Sequence, residues 1–187
     1  MNNAELTLPT ADQVRAMSVP LPQDETYVVT NTTVIDAPLD FVWEHFPRDA
    51  DISRVMTPFR GFPGAKSWIT TPDFNNKGSS IAYTMSNGLT ITETIVKREN
   101  HHYVYGYQMP FRNFIFKFWQ GNLLYKDAGN GQTELTWKYW LAPKDNLFGR
   151  FLARRIIQFI WRGYTRTGVA NIKAEAERLY VQADDDQ

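Results

Sequence analysis

The sequence predicts an α+β fold in which a curved, seven-stranded antiparallel sheet wraps around one long C-terminal helix. Three observations lead to this prediction. A strand-like segment is followed by two short helical ones, six segments with period-two alternation occupy residues 59–143, and one helical periodicity runs over 147–180. A sheet with one apolar face must be covered, and only the last helix is long enough to cover it. A curved sheet around a single helix tends to leave a hollow between them.

The first elements are a strand and two short helices. Residues 27–35 are rich in Thr and β-branched residues, which favours a strand. Pro38 suits the first turn of a helix, where its missing N–H costs nothing. Helical spacing follows in Leu39, Val42, Trp43 and Phe46, and a second short helix is predicted over 49–55.

Six predicted strands follow, separated by short turns. Asn87-Gly88 and Asn130-Gly131 are typical of tight hairpin turns, whose two central residues both need positive φ. Between the turns, apolar and aromatic residues alternate with others, so that each set faces one side of the sheet. The alternating sets are Ile81, Tyr83 and Met85; Leu89, Ile91, Glu93 and Ile95; Tyr103, Tyr105 and Tyr107; and Leu135, Trp137, Tyr139 and Leu141.

The final helix is predicted to begin after a cap at Asp145 or Asn146. Gly163 and Gly168 interrupt it and indicate either a kink or close packing. The residues expected to form its core-facing stripe are Phe148, Phe151, Leu152, Ile156, Phe159 and Ile160, while Leu147, Ile157 and Trp161 fall outside that stripe.

Composition narrows the classes of function. A chain of 187 residues fits one domain, divided here into an N-terminal extension (1–25), a domain (26–182) and an acidic tail (183–187). The formal net charge is zero, which argues against attraction to nucleic acid by the protein as a whole. With no cysteine and three scattered histidines, a zinc site is not indicated, and no cofactor is expected. No signal peptide or apolar span is visible, so we expect a cytoplasmic protein.

Four segments resemble the SRPBCC superfamily, which includes START lipid-transfer domains, pollen-allergen-like proteins and the polyketide cyclase/dehydrase group. The resemblance covers roughly residues 27–180 and is fairly specific because the segments keep their order and spacing. One departure is Gln132, where a glycine is usual. The matching segments are 33–38 with Val42-Trp43; 77–79 with Gly88 and 93–95; 131–137; and Asn171-Ile172-Lys173 with Glu177.

The resemblance implies a helix-grip fold with an internal cavity for a hydrophobic, lipid-like or aromatic small molecule. It does not imply one reaction, because members include carriers, receptors and cyclases. Aromatic side chains on the strands and the helix are the candidate ligand-binding residues, since they offer flat apolar walls with polar tips. These candidates are Tyr83, Tyr103, Tyr105, Tyr107, Trp137, Tyr139, Phe151 and Phe159. The alternative for the strand residues is core packing or an outer aromatic ladder.

Glu93 is the candidate catalytic residue. It shares a strand face with Leu89, Ile91 and Ile95, where a carboxylate facing an apolar cavity could act as a general acid or base. The alternative is a paired or solvated residue near the sheet rim. The sequence therefore supports either binding or transport of a hydrophobic molecule, or an enzyme of the polyketide cyclase/dehydratase kind in the same cavity.

The C-terminal helix also has an unusual charge. Residues 147–173 hold six basic residues and no acidic one, and the apolar arc is wider than one buried face requires. Contact with an anionic membrane or an acidic partner would use both features. Alternatively, the N-terminal extension or a second subunit of an oligomer covers the surplus apolar surface.

Overall fold

The computed structural model describes residues 27–108 and 116–185, so the N-terminal extension lies outside the described residues. This part of the chain contains seven strands and four α-helical segments. A π-helical turn joins the last two segments into one continuous helix. The elements are β1 (Tyr27–Ile35), α1 (Leu39–His45), α2 (Ile52–Val55), β2 (Ala65–Thr70), β3 (Ser80–Met85), β4 (Thr90–Glu99), β5 (His102–Gln108), β6 (Phe116–Gly129), β7 (Gln132–Pro143), α3 (Leu147–Ile156), the π turn (Ile157–Trp161) and α4 (Arg162–Asp185).

All seven strands form one antiparallel sheet in the order β1-β7-β6-β5-β4-β3-β2. Strands β2 to β7 are a meander, and β1 pairs with β7 at one edge. The α+β class, the seven strands and the two short helices after β1 are confirmed.

The two predicted hairpin turns differ. Asn130 and Gly131 both have positive φ, 55° and 72°, as a tight two-residue turn requires. At the other turn the predicted hairpin between β3 and β4 is present, but Gly88 alone has a positive φ, 84°, so the turn is not of the predicted two-residue type. The Met85 and Leu89 backbones close the turn instead, and one left-handed glycine suffices for this longer loop.

One face of the sheet is buried against the helices, and the alternation predicted from the sequence is confirmed on it. The alternating inner-face residues include Ile81, Tyr83, Ile95, Tyr103 and Tyr139, all of which are buried. On β1 the same alternation buries Val29 and Ile35 and exposes Val28 and Val34. The hydrophobic core cluster therefore contains the inner-face residues of the sheet and the residues of the helices that pack on them.

The C-terminal helical segment runs without a break for 39 residues, from Leu147 to Asp185. Asn146 caps it, because its side-chain oxygen accepts a hydrogen bond from the Gly149 N–H. The helix also continues through most of the residues assigned to the acidic tail. No helix among the described residues is both long and apolar enough to cross a membrane.

The buried face of α3 differs from the predicted stripe. A ridge at i, i+4 spacing faces the sheet, formed by Gly149, Ala153, Ile157 and Trp161, while Phe148, Phe151 and Phe159 are exposed. The prediction was wrong for these three phenylalanines, whereas Leu152, Ile156 and Ile160 of the same stripe are half-buried. Apolar residues occupy two ridges of this helix, and periodicity alone cannot choose between them. In addition, the π turn holds about one residue more than an α-helical turn. It therefore rotates the side chains of α4, which follow it, relative to those of α3.

Close packing explains Gly168. A Cβ atom at this position would lie 2.7 Å from Cζ3 of Trp137, so only glycine lets the indole approach the helix backbone. Gly163 likewise lies against the Phe59 ring. The sequence predicted either a kink or close packing at these two glycines, and the structure shows close packing at both.

Hydrogen bonds from side chains fix α4 to the elements around it. Asn171 donates to the Val55 carbonyl at 3.1 Å and to the Thr57 hydroxyl at 2.9 Å. The Glu175 carboxylate accepts the Asp51 N–H at 2.7 Å. These contacts hold α2 and the chain after it over the end of the sheet, and so they close the space described next.

Candidate ligand cavity

A hollow of about 60 Å³ lies between the sheet, the short helices and α4. Since one water needs at least about 10–15 Å³, the hollow has room for a few waters. Its walls are mainly aromatic and aliphatic side chains. They are Phe46, Pro47, Ile52, Val55, Met56, Tyr83, Glu93, Tyr103, Tyr105, Leu123, Trp137, Tyr164 and Ile172.

The sheet positions the aromatic wall through its register. Tyr83 on β3 pairs with Ile91, and Glu93 on β4 pairs with Ile81, so the two side chains stand on the inner face of neighbouring strands close to the β2 edge. Tyr105 is opposite Gly121 on β6. A Cβ on Gly121 would come within 2.0 Å of the Tyr105 ring, so the glycine makes room for that ring.

Glu93 is the acidic group of the cavity wall. Its side chain is 7% exposed, and Oε2 accepts a hydrogen bond from the Tyr83 hydroxyl at 3.0 Å. Burial, together with the charge of Glu93, raises the pKa of Tyr83 well above its ordinary value. Tyr83 therefore remains a hydrogen-bond donor to the carboxylate across the physiological pH range.

Two polar atoms in the wall have no hydrogen-bond partner within the described part of the chain. They are the hydroxyl oxygen of Tyr103 and Nε1 of Trp137, both in buried residues. Burial, with Glu93 as the next cause, raises the pKa of Tyr103 well above its usual range, so this group also keeps its proton. Both groups are hydrogen-bond donors.

A smaller hollow of about 20 Å³ lies beside the first. Met56 and Tyr164 line both hollows and therefore separate them. Methionine has three rotatable bonds and adapts easily to its surroundings. The Met56 side chain is thus a flexible part of the boundary between the two spaces.

Residues 26–177 match the model of a protein family described as "Polyketide cyclase / dehydrase and lipid transport". The chain belongs to this family. The match covers all seven strands and most of the C-terminal helix, and the resemblance to the SRPBCC superfamily is confirmed. A comparison with curated protein sequences gave no significant match.

Solved structures of low sequence identity share the fold of this polyketide cyclase/dehydrase family member. The aromatase/cyclase ZhuI from Streptomyces sp. R1128 has a TM-score of 0.60 and 13% identity over 82% of this chain and 94% of that one. The di-domain aromatase/cyclase StfQ from the steffimycin biosynthetic pathway gives 0.62 and 12%, over 84% of this chain and 53% of that one. Major latex-like protein 151 from Panax ginseng gives 0.55 and 14%, over 80% and 97%.

The structure brings most of the predicted site residues together in this family member. Tyr83, Glu93, Tyr103, Tyr105 and Trp137 line the larger hollow, and Tyr139 lines the smaller one. The Tyr107 side chain lies outside what the structure describes. Two helix candidates are elsewhere, because Phe151 and Phe159 are more than half exposed and line neither hollow.

Sequence reasoning missed the wall contributed by the helices. Tyr164 and Ile172 on α4, and Met56 after α2, are part of the lining. Tyr164 and Gly168 are four residues apart, and Gly168 packs on Trp137, so the glycine marks the helix face that meets the sheet. That glycine was the available signal for the inward side of α4.

No group of three or more His, Cys, Asp or Glu residues that could hold a metal ion is found in residues 27–108 and 116–185. The polar groups of the residues that line the larger hollow are one carboxylate, four phenols and an indole. Such a set can orient a ligand oxygen by hydrogen bonding and can transfer a proton through Glu93.

Proposed function

We propose that the protein binds a mostly apolar small molecule that carries at least one hydrogen-bond acceptor oxygen. The observation that carries this proposal is the pair of donors in the cavity wall, Tyr103 and Trp137, that are buried without a partner among the described residues. A buried polar group left unpaired costs about 1–3 kcal/mol. A ligand oxygen that hydrogen-bonds to either donor would recover part of this cost, and the aromatic walls would bury the rest of the molecule.

The size of the hollow limits the ligand. At about 60 Å³ it is below the volume of usual drug-sized pockets, roughly 300–1,000 Å³. A compact molecule fits with small adjustments, whereas a larger one must displace Met56 or Tyr164 and use the second hollow as well. The family description and the fold of the aromatase/cyclases support a ligand of the aromatic or lipid-like class.

Two probes that differ by one oxygen test the proposal. Acetophenone and ethylbenzene have nearly the same shape, but only acetophenone carries an acceptor. Titration followed by tryptophan fluorescence should show tighter binding of acetophenone, by about tenfold if one hydrogen bond is gained. Tyr103→Phe should remove part of this preference, whereas Tyr180→Phe on the helix surface should not.

The outcome that contradicts the proposal is equally clear. If neither probe binds, the cavity is not a ligand site. If both probes bind with equal affinity and Tyr103→Phe changes neither affinity, the two donors do not form a hydrogen bond with a ligand oxygen. Met56→Ala should further improve the binding of a larger ketone such as 2-acetonaphthone, because the two hollows would then be joined.

A second candidate function is favoured by the buried contact between Glu93 and Tyr83. In a dehydration of a β-hydroxy ketone, Glu93 would remove the proton from the carbon between the two groups. It would then deliver that proton to the departing hydroxyl group, which leaves as water. Tyr103 would hydrogen-bond the carbonyl oxygen, where negative charge develops.

This enzymatic function is tested with 4-hydroxy-4-phenyl-2-butanone, whose dehydration product absorbs strongly in the ultraviolet. Glu93→Gln should abolish turnover while the affinity for acetophenone is kept. Turnover that survives this substitution, or no turnover by the unaltered protein, would leave only the binding function.

A further inference from the structure

The first half of the C-terminal helix presents an apolar ridge to solvent. Leu147 is 88% exposed, Phe148 69%, Phe151 59% and Phe159 52%. Leu147, Phe151 and Phe159 are multiples of four residues apart, so they lie along one side of the helix. Large exposed apolar side chains that are contiguous mark an interaction surface more often than scattered ones do.

Arginines occupy the same side. Arg155 continues the ridge, with its guanidinium carbon 5.3 Å from the ring centroid of Phe151 and 5.9 Å from that of Phe159. Arg154 is exposed next to it. From the loop after α2, the Arg60 guanidinium donates to the Phe159 carbonyl at 3.1 Å. We call this surface the Phe–Arg face; it comprises Leu147, Phe148, Phe151, Phe159, Arg60, Arg154 and Arg155.

The charge of this surface is one-sided. Residues 147–173 carry no acidic side chain, although the chain as a whole has a formal net charge of zero. The acidic group that meets the start of α3 is Asp145, 4.0 Å from Arg150. The attraction offered to an anionic partner is therefore local to the face rather than a property of the whole molecule.

We propose that the Phe–Arg face docks the protein on an anionic lipid membrane. A helix lying in the plane of a bilayer surface inserts phenylalanine and leucine side chains at the acyl boundary and keeps arginines at the phosphates. Arginine stems pack along the apolar side chains while their charged ends reach the headgroups. The Arg155 side chain, placed between two phenylalanine rings, has the arrangement that this requires.

Charge complementarity favours lipid over a second copy of the chain. In a two-fold contact between two such faces, the arginines of one copy would meet those of the other, and like charges in contact oppose association. An anionic bilayer offers both negative charge and an apolar interior to the same surface. This inference stands independently of the proposed function of the cavity.

The face also adjoins the smaller hollow. Arg60 contacts Phe159, while Phe62, two residues further along the same turn, packs on Trp161 and Tyr164 with ring centroids 5.4 Å and 4.7 Å away. Phe62, Trp161 and Tyr164 line that hollow. A docked molecule would therefore hold the end of its cavity beside the bilayer.

Cosedimentation of the full-length protein with vesicles tests the docking. Vesicles of phosphatidylglycerol and phosphatidylcholine in equal amounts should retain the protein, whereas pure phosphatidylcholine should retain much less. Raising the salt concentration should weaken the binding, because exposed charges are screened. Phe151→Ser with Phe159→Ser, and separately Arg154→Glu with Arg155→Glu, should each lower the affinity by at least about tenfold.

A matched control lies at the other end of the same helical segment. Tyr180 and Val181 are also exposed apolar residues, and replacing both with serine should leave vesicle binding unchanged. Circular dichroism and thermal unfolding of each variant establish that the fold is kept.

Three results would overturn the proposal. The first is that the protein does not bind anionic vesicles. The second is that the control variant loses as much vesicle affinity as the face variants, and the third is that neither face variant changes the affinity. A protein that is dimeric through this face without lipid, becomes monomeric on Phe151→Ser and does not bind vesicles would identify the face as a subunit contact instead.

Discussion

The two halves of the C-terminal helix are attached to the molecule in different ways. The second half, α4, is fixed by side-chain hydrogen bonds to β1 and to the chain around α2, through Asn31 to Thr165, Asn171 and Glu175. The first half, α3 and the π turn, buries one ridge and leaves the opposite one in solvent. The second half therefore completes the cavity wall, whereas the first half has an exposed surface that is available to a partner.

This difference teaches that hydrophobic residues in one helix need not serve one purpose. Ala153, Ile157 and Trp161 pack against the domain, while Phe151 and Phe159 do not. A helix that is apolar on two sides is either buried on both or exposes one of them. Here it exposes one, and the arginines placed beside it make that exposure compatible with an anionic surface.

The largest predicted effect is on stability, and it compares the buried ridge of the first half of the helix with its exposed ridge. Trp161→Ala should lower the free energy of unfolding by about 3–5 kcal/mol, because the buried indole contacts Trp119, Tyr139 and Phe62. Phe159→Ala, two residues away, should change it by less than about 0.5 kcal/mol. Chemical denaturation measures both, and similar losses for the two variants would refute the assignment of the ridges.

A smaller effect is expected at the contact between α4 and the sheet. Gly168→Val should cost about 1–3 kcal/mol, because the new side chain must displace Trp137 from its place against the helix. Ala170→Val, at an exposed position of the same helix, controls for the lower helix propensity of valine. Equal losses for the two variants would show that Trp137 does not depend on this glycine.

The Glu175 carboxylate, which anchors α4, is predicted to contribute somewhat less to the free energy of unfolding. Its contribution should depend on pH. Burial alone would raise the pKa of Glu175, but hydrogen bonds from Arg178 and from the Asp51 N–H outweigh it and hold the pKa below its ordinary value. The folded state therefore gains stability from this group above the ordinary pKa of a glutamate, and loses it as the pH falls through the depressed value.

Glu175→Gln should accordingly cost about 1–2 kcal/mol near neutral pH. The difference between the two proteins should shrink in acid, where the native carboxylate becomes protonated as well. Denaturation curves at several pH values measure this, and a difference that is constant with pH would contradict the role of the charge.

The smallest effect is expected on the Phe–Arg face itself. Phe148→Ser with Phe151→Ser should leave the free energy of unfolding within about 0.5 kcal/mol of the original, since both rings are already in solvent. A loss of several kcal/mol would show that this face is covered within the folded protein and is not available for docking.

The sequence predicts the sheet far better than the helix. Alternation along β3, β4 and β7 places Tyr83, Glu93 and Trp137 on the inner face, because a strand has only two sides and the turns fix its register. The residues that share the inner face were therefore predictable as a set, although alternation alone left open which side of the sheet they face. The side of α3 was not, since Phe151 and Ile157 are equally apolar and only the packing partner distinguishes them.

The helical wall of the cavity and the partition between the hollows were also beyond the sequence. Tyr164 and Met56 reach the same space from segments more than a hundred residues apart. Their meeting depends on the anchoring of α4 over α2 by Asn171 and Glu175. Asn171 belongs to a segment that resembles the family, but neither residue indicates in the sequence which backbone group it contacts. Tertiary contacts of this kind leave no local pattern.

Hydrogen–deuterium exchange of the full-length protein, measured with and without anionic vesicles, tests the contrast between the two halves most directly. Without lipid, the amides of residues 147–160 should exchange faster than those of 164–176, which are more firmly packed. Vesicles should slow exchange in 147–160 and leave 164–176 unchanged. Slower exchange in 164–176, or no change in either half, would contradict the division of the helix into a docking half and a cavity half.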